Sequence, residues 1–183
     1  MASILNVDQI NNAAGTSGIA LDASTGKASF PNGVTLPAGN VIQTVIFDSI
    51  ASSVTGQDVN NTTTKASTRT TVSITPKFSN SLLVVSAIFN GKHDGTGSGS
   101  VWYFYRDGSE LNGPSSGHQF FYSTASGFNG SNKHNPICMR AAVSAGSTSA
   151  TTFTIYQRAF DSVGAMINYD WGYATLEVKE IAQ

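Results

Sequence analysis

Residues 68–90, which read TRTTVSITPKFSNSLLVVSAIFN, decide the fold class of this chain. Within residues 71–75, valine and isoleucine alternate with threonine and serine. Because successive side chains of a strand point to opposite faces, this alternation predicts a half-buried strand. A spacer rich in turn residues follows, and the apolar run after it predicts a second strand.

The second of these strands is apolar on both of its faces. A sandwich strand of this kind needs cover on its outer side as well as on its core side. Residues 101–105 repeat the pattern with aromatic side chains. Since the chain has almost no helix signal, we expect a neighbouring subunit to supply the cover, in a jelly roll that closes around a symmetry axis. The positions divide into one face with Leu83, Val85, Ala87 and Phe89 and another with Leu82, Val84 and Ile88.

Further segments of the same kind fill the rest of the chain from residue 41 onward, separated by turn-rich spacers. Eight or nine short strands at this spacing are typical of a two-layer β-sandwich. The expected fold class is therefore all-β, with a jelly-roll-like antiparallel β-sandwich. The candidate strands are residues 41–50, 68–75, 82–90, 100–106, 118–123, 136–145, 151–160, 164–169 and 173–181.

Residues 1–40 have a different sequence pattern. Very short apolar clusters alternate there with turns built from asparagine, glycine and proline. No cluster is long enough to bury its apolar side chains within one chain, so we expect the segment to pack against copies of itself or against a partner. The alternative is an unstructured tail. We divide the chain into an attachment and oligomerisation segment, residues 1–40, and a sandwich domain, residues 41–183.

Composition excludes several classes of protein. Ten Lys and Arg stand against 11 Asp and Glu, which argues against a general nucleic-acid binder because such a protein needs a basic stripe. The longest apolar runs, residues 82–85 and 101–105, are far too short to cross a membrane. The single cysteine, Cys138, leaves no intrachain disulfide, which fits assembly in a reducing cytoplasm. We expect Cys138 to be buried as a small apolar side chain.

Catalysis and metal binding are not expected from the residues present. A glycosidase needs two carboxylates across a cleft, but the acids of the domain fall mostly at turns. Asp94 and Asp107 each precede a glycine, which is a hairpin signal. The histidines, His93, His118 and His134, show no ligand spacing, so no metal or other cofactor is predicted. The alternative is a site with one histidine from each subunit on a trimer axis.

The stretch from residue 118 to residue 135 is the best candidate for contact with a receptor. It carries aromatic side chains among serine, asparagine and glycine, a composition that suits contact with a sugar or a protein. Alternation buries Phe121 and exposes Phe120 and Tyr122, or the reverse, so the alternative is that some of these rings are core residues. We assign receptor or glycan contact to Phe120, Tyr122, Phe128 and His134.

Short motifs spread over nearly the whole chain keep a recognisable order. Near the N-terminus they are ILNVDQI, FPNGV and LPAG, starting at residues 4, 30 and 36. Further on they are VSITPK, SNSLLV, RDG, SATTFTI and LEVKEI, starting at residues 72, 79, 106, 149 and 176. In this order they resemble the short tail-fibre-like virion proteins of marine and cyanobacterial phages. The family often has lysine and isoleucine where Leu82 and Leu83 stand, and residues 118–136 match none of its motifs.

The resemblance implies a trimeric virion component that is attached by its N-terminus and exposed at its C-terminus. Its partners are then two further copies of itself, a tail, baseplate, neck or capsid protein bound through residues 1–40, and a host-surface glycan or receptor. We expect no nucleic acid, no membrane insertion and no enzymatic activity, in a protein located in the virion. The alternatives are a capsid-decorating protein and a polysaccharide depolymerase. Virion anchoring is assigned to Ile4, Leu5, Val7 and Ile10.

Overall fold

The computed structural model describes residues 9–11, 17–21, 24–25, 28–29, 37–50, 52–60, 62–93, 99–111, 118–122, 134–159, 165–169 and 173–183. These residues form strands and turns and contain no helix, which confirms the predicted all-β class. Within them, no helix is long and apolar enough to span a membrane. The strands are β1 (Gln9–Asn11), β2 (Ser17–Leu21), β3 (Ala28–Ser29), β4 (Val41–Asp48), β5 (Gln57–Asn60), β6 (Ala66–Ile74), β7 (Leu82–His93), β8 (Gly99–Arg106), β9 (Ser109–Glu110), β10 (His118–Tyr122), β11 (His134–Ser144), β12 (Thr151–Ala159), β13 (Ala165–Asn168) and β14 (Thr175–Ile181).

The chain forms two compact units, Met1–Pro37 and Ala38–Gln183. In the first unit, β1, β2 and β3 form an antiparallel sheet with β2 in the centre. Ile10 of β1 pairs with Ile19 of β2, so this one candidate anchoring residue lies within a strand. The other three, Ile4, Leu5 and Val7, lie outside the described residues.

The second unit is an antiparallel β-sandwich, as predicted. One sheet has the order β4-β14-β7-β13-β5, and β11 pairs with the other edge of β7. The second sheet has the order β10-β8-β12-β6, and the short β9 pairs with β8. Each of the nine predicted strands has a counterpart here, with ends that differ by up to three residues. The short strands β5 and β9 were not predicted.

Alternating side chains of both sheets form the core between them. Val72 and Ile74 of β6 are buried while Thr71 and Ser73 are exposed, which confirms the half-buried strand expected from the sequence. Phe89 of one sheet meets Trp102 of the other edge to face, with ring centroids 5.6 Å apart and planes inclined by 63°. Such an aromatic contact adds to the apolar burial that drives the two sheets together.

Strand β7 carries apolar side chains on both faces, as predicted. Leu83 and Val85 point into the core and are fully buried. On the opposite face Val84 is nearly buried between its register neighbours, whereas Ile88 is 56% exposed. The six-stranded sheet therefore has a core face and an outer face, and the outer face is partly apolar.

The turn predicted at Asp107 and Gly108 is a two-residue hairpin loop that joins β8 to β9. Both residues have positive φ, 49° and 80°, as the tight hairpin turns require. The Asp107 carboxylate accepts hydrogen bonds from the Thr152 backbone N–H at 2.8 Å and from the Thr151 hydroxyl at 2.7 Å. These contacts give the acid a structural role at the end of β12.

The expectation that Cys138 is buried was wrong, since its thiol is exposed. Cys138 lies on β11 opposite Ile88, and opposed residues of an antiparallel pair share one face of the sheet. Its neighbours Ile137 and Met139 take the two core positions. The alternation of β11 therefore places the Cys138 thiol on the outer face, although cysteine side chains are usually buried.

Candidate functional site

The structure places the described residues among those assigned to receptor contact on two strands, β10 and β11. Phe120 and Tyr122 lie on β10, where their backbones pair with Val101 and Gly99 of β8. His134 is the first residue of β11 and pairs with Lys92, so it belongs to the other sheet. Phe128 lies outside the described residues. The register thus places positions 120 and 122 on the face of β8 that also carries Tyr103.

Three tyrosines lie together on that face, which is the outer face of the five-stranded sheet. Tyr103 of β8 pairs directly with Tyr156 of β12. Tyr105 and Tyr156 stack almost in parallel, with ring centroids 3.7 Å apart and planes inclined by 13°. Tyr103 is 5% exposed, while Tyr105 and Tyr156 are half-buried. We call this group, with the charged residues Lys65, Glu110 and Arg158 around it, the tyrosine cluster.

The charged residues of the tyrosine cluster converge on the Tyr103 ring. The Lys65 ammonium lies 4.1 Å from the ring centroid, and the Arg158 guanidinium carbon lies 5.9 Å from it. Lys65 also forms an ion pair with Glu110. Lys65 precedes β6 and Glu110 ends β9, so segments distant in sequence complete the cluster around the β8–β12 pair.

Burial sets the protonation of the two phenols on β8. It raises the pKa of Tyr103, against the lowering effect of the Arg158 and Lys65 charges. Burial also raises the pKa of Tyr105. Both phenols are therefore protonated at neutral pH and act as hydrogen-bond donors or acceptors. Lys65 stays charged, because burial lowers its pKa but the hydrogen bond and the charge of Glu110 raise it by more.

Two polar atoms of the tyrosine cluster are buried without a hydrogen-bond partner. They are one carboxylate oxygen of Glu110, Oε1, and the Nε of Arg158. An unsatisfied buried polar atom costs about 1–3 kcal/mol, so such atoms call for an explanation. Glu110 Oε1 is an acceptor, and Arg158 Nε is a donor.

A second surface feature lies on the outer face of the six-stranded sheet. An open pocket of about 530 Å³ is lined there by Asp48, Ile50, Ile88, Tyr173 and Thr175. Its apolar walls are strongly exposed, at 62% for Ile50, 56% for Ile88 and 64% for Tyr173. Ile46, two residues before Asp48 on β4, extends the apolar area. We call these six residues the apolar patch.

Two other carboxylates in the sandwich serve to join strands. Glu180 of β14 is fully buried and accepts hydrogen bonds from the turn after β6 and from Gln43 of β4. Asp58 of β5 accepts hydrogen bonds from the Arg69 backbone N–H at 2.7 Å and from the Tyr169 hydroxyl at 2.6 Å. Burial raises the pKa of Tyr169, so this phenol remains a donor.

Among the described residues, no group of three or more His, Cys, Asp or Glu side chains is placed to hold a metal ion. No protein-family model matches the chain, and no curated protein matches it either. Inferences about function therefore depend on the two outer faces of the sandwich.

Sequence reasoning did not find the tyrosine cluster as a site. The sequence pattern that could have revealed it is the pair Tyr103 and Tyr105. Alternation puts this pair on the opposite face of β8 from the core residues Trp102 and Phe104. Tyr156 falls on the amphipathic face of β12 by the same alternation. No local pattern marks Lys65 or Glu110, because only the pairing of distant strands brings these residues to the tyrosines.

Proposed function

We propose that the chain is a structural, non-enzymatic protein of a phage particle that works as a trimer. Residues 1–40 anchor it to another virion protein, and the β-sandwich is displayed for attachment to the host. The ordered motifs that resemble phage fibre-like proteins support this proposal, as does the all-β architecture. The observation that carries it is the apolar patch.

The apolar patch supports assembly because it is exposed to solvent in a single chain. Isolated exposed apolar residues are common, but a contiguous group around a pocket is typical of an interaction surface. β7 lies in the middle of this sheet, so Ile88 is exposed at a sheet centre rather than at an edge. A neighbouring copy that covers the patch removes this apolar surface from water.

The charges of the same face favour a second copy of the chain as the occupant. Arg140 and Lys179 point outward from β11 and β14, and Asp48 and Glu177 point outward from β4 and β14. Among the described side chains of this face, two positive groups thus stand against two negative ones. Such a face is electrostatically compatible with another copy of the same chain, whereas a face of one sign repels its own copy.

Replacing Ile88 by aspartate is expected to dissociate the oligomer. A charge at the centre of the interface loses its hydration without gaining a partner, which costs several kcal/mol for each buried copy. Sedimentation or light scattering of the full chain at micromolar concentration measures the change, and circular dichroism checks that the β-structure persists. Ser67→Asp adds the same charge at an exposed position of β6 in the other sheet and is expected to leave the trimer intact.

A monomeric wild-type chain in this experiment contradicts the proposal, and so does an Ile88→Asp variant that stays trimeric. Labelling the protein on intact particles tests the location. We expect a small number of copies at the tail, baseplate or neck. Hundreds of copies over the shell identify a capsid-decorating protein instead.

A further inference from the structure

We propose that the tyrosine cluster binds an acidic saccharide, meaning a sugar that carries a carboxylate. This inference builds on the proposed function, because it names the chemistry by which the displayed sandwich contacts the host. It depends on the ring stack and on the Arg158 guanidinium, which forms no ion pair with a carboxylate of the described residues.

The ring stack supplies the apolar part of such a site. Sugars present C–H faces that pack on aromatic rings, and tyrosine offers a rigid ring with a polar tip. Tyr105 and Tyr156 hold each other in one orientation through their stack and remain half-buried, so part of each ring stays accessible. The face is therefore fixed before a ligand arrives, which reduces the entropy cost of binding.

The charge of the tyrosine cluster favours an anion. Lys65 is neutralised by its ion pair with Glu110. Arg158 contacts the Tyr103 ring and hydroxyl, and no carboxylate of the described residues forms an ion pair with it. Among the described residues, one positive charge of the cluster is thus not paired with a carboxylate. A guanidinium group binds a carboxylate through two parallel hydrogen bonds, which makes Arg158 the natural contact for an acidic group.

The ring stack and the Arg158 cation together define the ligand class. A simple anion has no apolar face to pack on Tyr105 and Tyr156, and a neutral sugar has no charge to pair with the guanidinium. A sugar that carries a carboxylate offers both within one ring.

The tyrosine cluster lies beside the edge of the five-stranded sheet. β10 forms one edge of the five-stranded sheet, and its register puts position 118 opposite Tyr103. Backbone positions 118, 120 and 122 therefore lie on the same face of the sheet as Tyr103, within the stretch that the sequence favoured for receptor contact. By contrast, the apolar patch has three apolar walls and one carboxylate, which disfavours an anionic sugar there.

Isothermal titration calorimetry of the full-length protein tests the inference with two probes of equal length. Trigalacturonic acid carries a carboxylate on each ring, and maltotriose carries none. We expect measurable binding of the acidic trisaccharide and at least tenfold weaker binding of maltotriose. Raising the salt concentration is expected to weaken binding of the acidic probe.

Variants separate the contribution of each part of the tyrosine cluster. Arg158→Gln is expected to weaken binding of trigalacturonic acid about tenfold or more, because a charge-assisted contact is lost. Tyr156→Ala is expected to weaken it by about the same factor by removing the ring, whereas Tyr156→Phe keeps the stack and most of the affinity. Lys77→Gln removes an exposed cation outside the cluster and is expected to change nothing.

Several results overturn the inference. They are equal affinity for the two trisaccharides, no binding of either one, and an unchanged affinity in Arg158→Gln. A loss of affinity in Lys77→Gln as large as that in Arg158→Gln also overturns it, since binding then follows total charge. Thermal unfolding of each variant shows whether the fold is retained. If the protein is found on particles but binds neither probe, this inference fails while the proposed structural role stands.

Discussion

Replacing Glu180 by alanine is expected to lower the free energy of unfolding by about 3 kcal/mol. Glu180 is fully buried on β14, yet its carboxylate has donors on both oxygens. Oε1 accepts from the Lys77 N–H at 2.8 Å, the Phe78 N–H at 3.0 Å and the Ser81 hydroxyl at 2.7 Å. Oε2 accepts from the Gln43 amide at 2.6 Å. Alanine removes the acceptor for all of these groups and leaves a cavity.

Chemical denaturation of the variant measures the loss, with Glu177→Ala as the matched control. Glu177 lies three residues earlier on the same strand, on the outer face, and its ion pair with Lys179 is partly exposed. Such a pair contributes under about 1 kcal/mol, so the control is expected to stay close to wild type. Equal losses in the two variants contradict the structural role assigned to Glu180.

The same carboxylate makes stability depend on pH. Burial acts to raise the pKa of Glu180, but the hydrogen bonds from Lys77, Ser81, Gln43 and Phe78 outweigh it and hold the pKa below its ordinary value of 4.5. A lowered pKa in the folded state stabilises the protein above the pKa of the unfolded state. This contribution is therefore complete above pH 4.5 and is lost as the pH falls through the folded-state pKa. Glu180→Gln does not titrate, so its denaturation midpoint is expected to depend less on pH in this range.

Replacing Gly91 by alanine is expected to destabilise the sandwich by about 2 kcal/mol. A Cβ atom at this position of β7 comes within 2.8 Å of Ile137 Cγ1 and 2.8 Å of Trp102 Cζ2. Both side chains are buried, and Trp102 is 1% exposed, so neither moves away without disturbing the core. Where space is available, alanine stabilises a strand relative to glycine, so the sign of the effect decides whether the contact is present.

Denaturation of Gly91→Ala beside Ser86→Ala tests this expectation on one strand. Ser86 lies on the outer face of β7, and its substitution is expected to change stability by less than about 0.5 kcal/mol. In a Trp171→Phe background the remaining tryptophan is Trp102, whose fluorescence then reports directly on the packing at Gly91. A Gly91→Ala variant that is as stable as wild type or more so contradicts the close packing of β7 against Trp102.

Much of the fold was predictable from the sequence because most strands have a local pattern. Alternation at Val72 and Ile74, and again at Phe153 and Ile155, marks strands and their buried faces without knowledge of their partners. The pair Asp107 and Gly108 marks a turn because positive φ is needed there. β5 has no such pattern, since its sequence is QDVN and its place depends on pairing with β13.

The candidate site was harder to predict because it depends on which strands become neighbours. The aromatic stretch around Phe120 and Tyr122 drew attention as receptor contact, and its role stays a prediction. Nothing local connects it to Tyr156, which reaches the same face only through the pairing of β8 with both β10 and β12. Cys138 shows the opposite case, in which a general preference for burial gave the wrong answer because the strand register was unknown.

The central position of β14 has a consequence for how the chain acquires its fold. β14 lies between β4 and β7, with Val178 opposite Val45 on one side and Val85 on the other. Strand pairings between residues so far apart in sequence form slowly, because the entropy cost of closing a long loop comes before the stabilising contacts. During synthesis β4 and β7 leave the ribosome before β14, so each lacks its β14 hydrogen bonds until that strand has been made. We therefore expect the six-stranded sheet to be completed only when β14 pairs with both strands.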